Sequence, residues 1–309
     1  MPPASEGAAC GLLVVDKPDG LTSHGVVGRT RRALGTRKVG HAGTLDPMAT
    51  GVLVIGVGPA TRLLGFLALK DKSYEATIRL GCATVTDDRE GEVLSVAAPS
   101  DLAAITDALA IGELSAFVGT IEQRPSSVSA VKVDGKRAYD RVRAGEDVEL
   151  AARSVEIASI DICDIRREPG AIDVDVVVSC STGTYIRAIA RDLGDRLGVG
   201  GHLVALRRTR VGAFDVSRAV TLERLDHDGV ECLIPLSDVA ASSFPVWSVD
   251  AEQAWAVGSG LRIDYGGPEV DEPVAVMAPD GTFVAMAVND GGRAKYLAVF
   301  APNRGPAKS

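Results

Sequence analysis

Four segments of this chain carry strand periodicity, and the helical segments between them do not alternate with them regularly. LLVVD (12–16) and VLVIGVG (52–58) are short continuous apolar runs, the pattern of buried strands. In 74–80, Tyr74, Ala76, Ile78 and Leu80 fall on one face and Glu75, Thr77 and Arg79 on the other, and IDVDVVV (172–178) alternates similarly. Helical spacing occurs at 24–34, with Val26, Val27 and Leu34 inward, and at 60–69, where Pro59 suits a helix start. It occurs again at 185–198, where Ile186, Ile189, Ala190, Leu193 and Leu197 form the apolar face and Arg187 and Arg191 lie on the other side. A doubly wound parallel sheet requires strand and helix to alternate strictly; this mixture predicts an α+β fold.

The 309 residues suffice for one large domain and a small one. The texture changes after Phe244-Pro245. There SVDAEQAWAVGSG reads as a short helix capped by Asp250 with Gln253, two alternating runs flank Pro279-Asp280-Gly281, and YLAVF (296–300) closes the tail. The predicted division is a large domain over 11–243 and a small β-rich one over 245–303, with disordered ends at 1–10 and 304–309. Within the large domain, SVSAVKVDGKRAYDRVRAG (127–145) reads as a strand, an Asp-Gly turn and a basic helix.

MPPASEGAAC has neither the positive charge nor the apolar core of a signal peptide. No run approaches the ~18 apolar residues that span a bilayer, so no membrane partner is predicted. The cysteines at 10, 82, 163, 180 and 232 form no CxxC pair, which argues for a reducing cytoplasm and against a zinc site or disulfide framework. Net charge is −8, yet residues 29–38, 124–143 and 187–210 together hold 17 Lys and Arg against 4 acids. Affinity for a polyanion follows local fields, so these clusters shift the balance towards an anionic ligand despite the acidic remainder.

VLVIGVGPATRLL imitates a dinucleotide-binding turn, but Thr61 stands where the third glycine belongs and Pro59 removes an amide from the anion-binding helix start. With no GK[ST] either, no nucleotide cofactor is predicted. His24, His41, His202 and His227 are isolated in sequence, so no metal is predicted. GHAGTLDPMATGVL (40–53) holds one acid, Asp46, among small and flexible residues, with His41 five positions earlier. Taken alone, Asp46-Pro47 is a turn, Tyr74 a core aromatic and Tyr185-Ile186-Arg187 a helix start.

The combination is more specific. GLLVVDKPDGLTSH, RKVGHAGTLDPMATGVL, KSYEATIRLG, PSSVSAVKVDGKRAY and CSTGTYIRAIARDLG…GGHLVALRRTRVG occur in this order over residues 11–212. Together they closely resemble the TruB family of tRNA pseudouridine synthases, which isomerise the uridine at tRNA position 55. The resemblance implies a central mixed, mainly antiparallel sheet flanked by helices and a small C-terminal PUA-like RNA-binding domain. It implies an isomerase that needs no cofactor, because breaking the N1–C1′ bond, turning the base and rejoining it through C5 is redox-neutral. By the same resemblance Asp46 is the catalytic carboxylate and Arg187 its partner, lowering its pKa and fixing its orientation. Three roles stay open for Asp46: attack at C1′, addition at C6 of the base, and abstraction of a sugar proton. Tyr74 matches the residue that stacks on a flipped base, Tyr185 and Leu206 match positions lining the uracil pocket, and His41 matches the residue that fills the space vacated in the RNA stack. Lys17, Lys132 and Arg137 lie in matching blocks as loop supports or phosphate contacts. The implied partner is the tRNA T stem-loop, bound by a monomer. The alternative is an RNA-binding or RNA-folding protein that keeps this scaffold without catalysis; simple binding needs basic grooves and no buried carboxylate.

Overall fold

The structure, a computed structural model, describes residues 9–126, 132–133, 136–137 and 151–300. The strands are β1 (Gly11–Lys17), β2 (Val39–Ala42), β3 (Thr50–Val57), β4 (Lys72–Leu80), β5 (Cys82–Thr84), β6 (Val93–Val96), β7 (Gly119–Gln123), β8 (Lys132–Val133) and β9 (Lys136–Arg137). They continue with β10 (Arg153–Glu168), β11 (Ala171–Cys180), β12 (Gly201–Val211), β13 (Phe214–Asp215), β14 (Val246–Ser248), β15 (Val274–Met277), β16 (Phe283–Asp290) and β17 (Arg293–Val299). The main sheet runs β1-β3-β12-β4-β11-β10-β7, with β2 added to β3 and β13 to β12. Every pairing in it is antiparallel except β3 with β12, which meet only at Thr50–Arg207 and Gly51–Arg208. The sheet is therefore mixed and mainly antiparallel, as the α+β reading requires.

The period-2 patterns explain the layers. One face of the sheet (Leu13, Val15, Leu53, Ile55, Ile78, Leu80, Val174, Leu203) packs against the helices Ser23–Ala33 and Ile186–Leu197 through Val26, Val27, Ile189 and Leu193. The opposite face divides. Around β1 and β3 it buries Leu12, Val14, Val52 and Val54 against Ala275, Phe283 and Met286 of the C-terminal four-stranded sheet β14-β15-β16-β17. Around β4 and β11 it is polar: Arg79 grips Asp173 with two bonds of 2.7 Å, and Thr77 donates to Asp175 at 2.6 Å. Among the described residues no helix is long and apolar enough to cross a membrane.

One local reading needs correction. The segment 60–69 is not one helix but a 3-10 turn over Gly58–Leu63 followed by a short helix, Leu64–Ala68, which lies directly on Gly56, where a Cβ would stand 3.0 Å from the Ala60 carbonyl oxygen. Leu34 caps its helix and is partly buried against the core, and Thr30 joins Val26 and Val27 among the buried positions. Arg187 and Arg191, opposite the apolar face of the helix Ile186–Leu197, meet loops bearing carboxylates, and Arg187 is 4% exposed. Lys132–Val133 pairs with Lys136–Arg137; the basic helix read at 138–145 and the disorder read at the termini fall outside the described residues, apart from Ala9 and Cys10.

Candidate active site

The loop between β2 and β3 carries Asp46, and buried polar side chains hold it in place. Ser23 Oγ donates to the Leu45 carbonyl at 3.0 Å and accepts from the Leu45 amide at 2.9 Å. Lys17 Nζ donates to the carbonyls of Pro47 (3.0 Å), Pro18 (2.9 Å) and Leu21 (2.6 Å). Burial pushes the Lys17 ammonium down to about 8, against the opposing pull of Asp19, Asp46 and Glu90.

Opposite the loop stands the start of the helix Ile186–Leu197. Its N-cap residue Tyr185 is clamped by Gln123, which is 1% exposed at the end of β7. Gln123 accepts from the Tyr185 amide at 2.7 Å and donates to its carbonyl at 3.1 Å. Two residues into this segment, Arg187 meets Asp46 in a fork, Nε to Oδ2 at 3.0 Å and Nη2 to Oδ1 at 3.3 Å. Its remaining nitrogen donates to the Thr86 carbonyl at 2.7 Å and faces Asp88 at 3.4 Å. The turn presenting Asp88 is strained, with Asp87 the non-glycine residue at positive φ (+58°).

The Asp46 side chain keeps 36% exposure, while those of Arg187 and Asp88 keep 5% and 4%. Burial pushes the Asp46 carboxyl above the ordinary aspartate value; Arg187 opposes that shift, Asp88 adds to it and Lys17 opposes it. Arg187 thus lowers the Asp46 pKa, as the resemblance implies, and orients the carboxylate, while burial outweighs it in the net shift.

Asp46, Tyr74, Tyr185, Arg187 and Leu206 line one cleft of about 280 Å³. Tyr74 on β4 is 7% exposed, and burial pushes its hydroxyl up while Arg208 pulls it back. His41 lies on β2 outside the cleft lining, half-buried and edge-on to His24 with ring centroids 5.6 Å apart. The side chains of Lys132 and Arg137 fall outside the described residues. A larger hollow, about 510 Å³, shares Leu206 with the cleft but is not lined by Asp46, Tyr74 or Arg187.

Sequence reasoning did not find Asp88, Gln123, Lys72 or Arg208. Asp87-Asp88 is a visible acid pair, but it stands about a hundred positions from the arginine it serves. The basic cluster at 187–210 also has a different use from the one its charge suggested. Arg187, Arg191, Arg207 and Arg210 are paired with Asp46, Asp87, Asp16 and Asp71, so that cluster is largely neutralised within the protein.

The sequence matches the TruB family pseudouridylate synthase (N terminal domain) over residues 31–186 and the tRNA pseudouridylate synthase B C-terminal domain over 187–231. A third match, to tRNA Pseudouridine synthase II, C terminal, covers 244–301. The chain belongs to the TruB family. The TruB-family relatives include a tRNA pseudouridine synthase B of Arthrobacter sp. (strain FB24), 54% identical over 96% of this chain and 99% of that one. Another, of the same name, from Leifsonia xyli subsp. xyli (strain CTCB07), is 53% identical over 94% and 96%. Among solved structures, "Crystal Structure of a Cbf5-Nop10-Gar1 Complex" aligns at 27% identity with a TM-score of 0.73, covering 96% of this chain and 86% of that one. Asp46, Tyr74 and Tyr185 lie within the first TruB match and Arg187 and Leu206 within the second, so the cleft is assembled across their boundary.

Proposed function

We propose that this chain is a tRNA pseudouridine synthase that isomerises uridine 55 of the T loop, with Asp46 as the catalytic carboxylate and Arg187 as its partner. The observation that carries this reading is the two-pronged Arg187–Asp46 contact opening onto a cleft lined by Tyr74, Tyr185 and Leu206. About 280 Å³ is near the lower end of small-molecule pockets, roughly 300–1,000 Å³, a size suited to one nucleoside rather than a helix of RNA. The target uridine therefore has to leave its stack, at a cost of a few kcal/mol. Stacking on Tyr74, worth about 1–3 kcal/mol, offsets much of that.

Once the base fills the cleft, water is displaced from Asp46 and the Arg187 fork fixes which oxygen faces the sugar. A carboxylate beside C1′ opposes the positive charge that develops as the glycosidic bond breaks. One carboxylate suffices because the released uracil is the second reactant: it stays in the cleft, turns and reattaches through C5, after which the C5 hydrogen leaves as a proton and the freed N1 takes one up. Strong electrostatics in a closed site favour this only while Asp46 is ionised, and Arg187 is the group that sustains that state against burial. On this reading Lys17 supports the Asp46 loop, His41 contacts the RNA outside the cleft, and Lys132 and Arg137 touch phosphate. The residues after 244 form a PUA-like RNA-binding unit, and the enzyme works as a cytoplasmic monomer without cofactor.

Tritium release from an unmodified tRNA transcript labelled at C5 of uridine tests the proposal, with wild type and Asp46→Asn side by side. Release by wild type, abolished in Asp46→Asn while tRNA binding persists, is the expected result. Tight tRNA binding by wild type with no release would refute it in favour of a non-catalytic RNA-binding role.

A further inference from the structure

We propose that Arg208 is a positioning residue for the isomerisation, a single guanidinium that ties together the two ends of the Asp46 loop. The inference rests on the function proposed above and deepens it. Arg208 lies on β12 opposite Tyr74 of β4, lines the cleft, and is 1% exposed. Its Nη2 donates to the carbonyl of Gly43, three residues before Asp46, at 2.9 Å. Its Nε donates to the carbonyl of Val52, where the loop has entered β3, at 2.8 Å.

The surrounding chain is built around this contact. Gly43 has φ of +74°, and a Cβ there would stand 3.3 Å from Arg208 Nη1. Gly51 has φ of +96°, and a Cβ there would stand 2.2 Å from the Arg208 carbonyl oxygen. The loop can therefore lie directly on the arginine only because both positions are glycine. Ser23 and Lys17 hold the middle of the loop at Leu45 and Pro47, on either side of Asp46, and Arg208 holds its two ends.

The contact also has an electrostatic oddity. None of the ion pairs among the described residues involves Arg208, although a buried guanidinium ordinarily requires a carboxylate. Lys72, a second buried cation, lines the same cleft; burial pushes it down to about 8 and Arg208 adds to the effect. Two carbonyls could be bridged by a neutral amide at lower electrostatic penalty. What the guanidinium adds is a rigid planar fork that fixes both acceptors in one geometry. The Asp46 loop is thereby held against β12, where Arg208 stands opposite Tyr74, when the base enters the cleft.

The test compares Arg208→Lys and Gly43→Ala with wild type, well below each variant's unfolding transition. The readouts are the single-turnover rate of tritium release from C5-labelled tRNA and the tRNA dissociation constant. Lysine retains the charge but lacks the planar fork that reaches both carbonyls at once. A misplacement on the order of 1 Å then predicts a rate about 100-fold lower with affinity changed by less than about threefold. Gly43→Ala displaces the intact guanidinium by a few tenths of an ångström, and a loss of about tenfold in rate, again without loss of affinity, is expected. A folded Arg208→Lys enzyme at wild-type rate overturns the proposal, as does a rate loss matched by lost affinity or lost folded fraction. Where Arg208→Lys does not fold, a wild-type rate in Gly43→Ala overturns it. Failure of the wild type itself to release tritium removes the parent function and this role with it.

Discussion

Arg187→Gln is the most informative single perturbation of the cleft, because it removes a positive charge standing between two carboxylates without removing much volume. Breaking a buried ion pair from one side costs about 3–5 kcal/mol, since the remaining charge is left uncompensated. Two features place this case at the lower end. Asp46 keeps 36% side-chain exposure, so water can replace part of the lost interaction, and Asp88 still accepts from the Thr86 hydroxyl and the Glu90 amide. A destabilisation of about 3 kcal/mol is expected, measured by urea unfolding near neutral pH. The pH dependence supplies the sharper test. In the wild type Arg187 is the largest influence lowering the Asp46 pKa, against burial and Asp88, which raise it. Without Arg187 the folded-state value rises further. A raised folded value contributes stability that is present at low pH and is lost as pH rises through it. The variant therefore gains more than the wild type on acidification, and its deficit should shrink from near pH 7 to near pH 5. A loss below about 1 kcal/mol, or a deficit equal at both values, would show that Arg187 does not serve as the countercharge deduced here.

The acid limb of kcat/KM should lie above the range of an ordinary aspartate, since Asp46 must be ionised to act and burial raises its pKa; a pH–rate profile checks this. For the same reason Asp46→Asn, while inactive, should melt at a higher temperature than wild type near neutral pH, in a thermal shift assay. Gly51→Ala should lose roughly 3 kcal/mol or more in urea unfolding, because a Cβ would stand 2.2 Å from the Arg208 carbonyl oxygen at a φ of +96°. Asp250→Ala breaks the capping box of the helix Ala251–Gly258 and should cost about 1 kcal/mol while leaving the rate of tritium release unchanged.

The sequence reveals those parts of the fold whose signal is local. The alternation at 74–80 and 172–178 became the paired strands β4 and β11, and the Asp250–Gln253 spacing became a capping box with both bonds made. The segment 60–69 misled because its apolar spacing suits an unbroken helix, while its close approach to Gly56 in the folded chain is something that spacing does not express. In the candidate site, Asp46, Tyr74, Tyr185, Arg187 and Leu206 were named from motif blocks and do meet in one cleft. Of their supports, Lys17 was named from its motif block and holds Pro47, while the others were not visible. Gln123, Ser23, Asp88 and Arg208 act by reaching backbone carbonyls, amides or charges far away in sequence, and nothing in a glutamine or serine codon's neighbourhood marks it for that task. Arg187 and Arg191 fall opposite the apolar face as their spacing says, but the spacing does not name the distant carboxylates that meet them there.

The C-terminal sheet is not hung from the main body by a linker. Phe283, Met286 and Ala275 share one apolar core with Leu12, Val14, Val52 and Val54, all of them buried. Each large side chain in that core is worth about 1.5–3 kcal/mol of burial. Cutting the chain near residue 243 would uncover a contiguous greasy face on β3, the strand into which the Asp46 loop runs, and on its partner β1. A shortened protein would be prone to clump, and any loss of activity in it would report a damaged cleft rather than a missing RNA contact. The share of tRNA affinity that belongs to the tail is therefore measurable only by exchanging its surface side chains one at a time, with the whole chain kept.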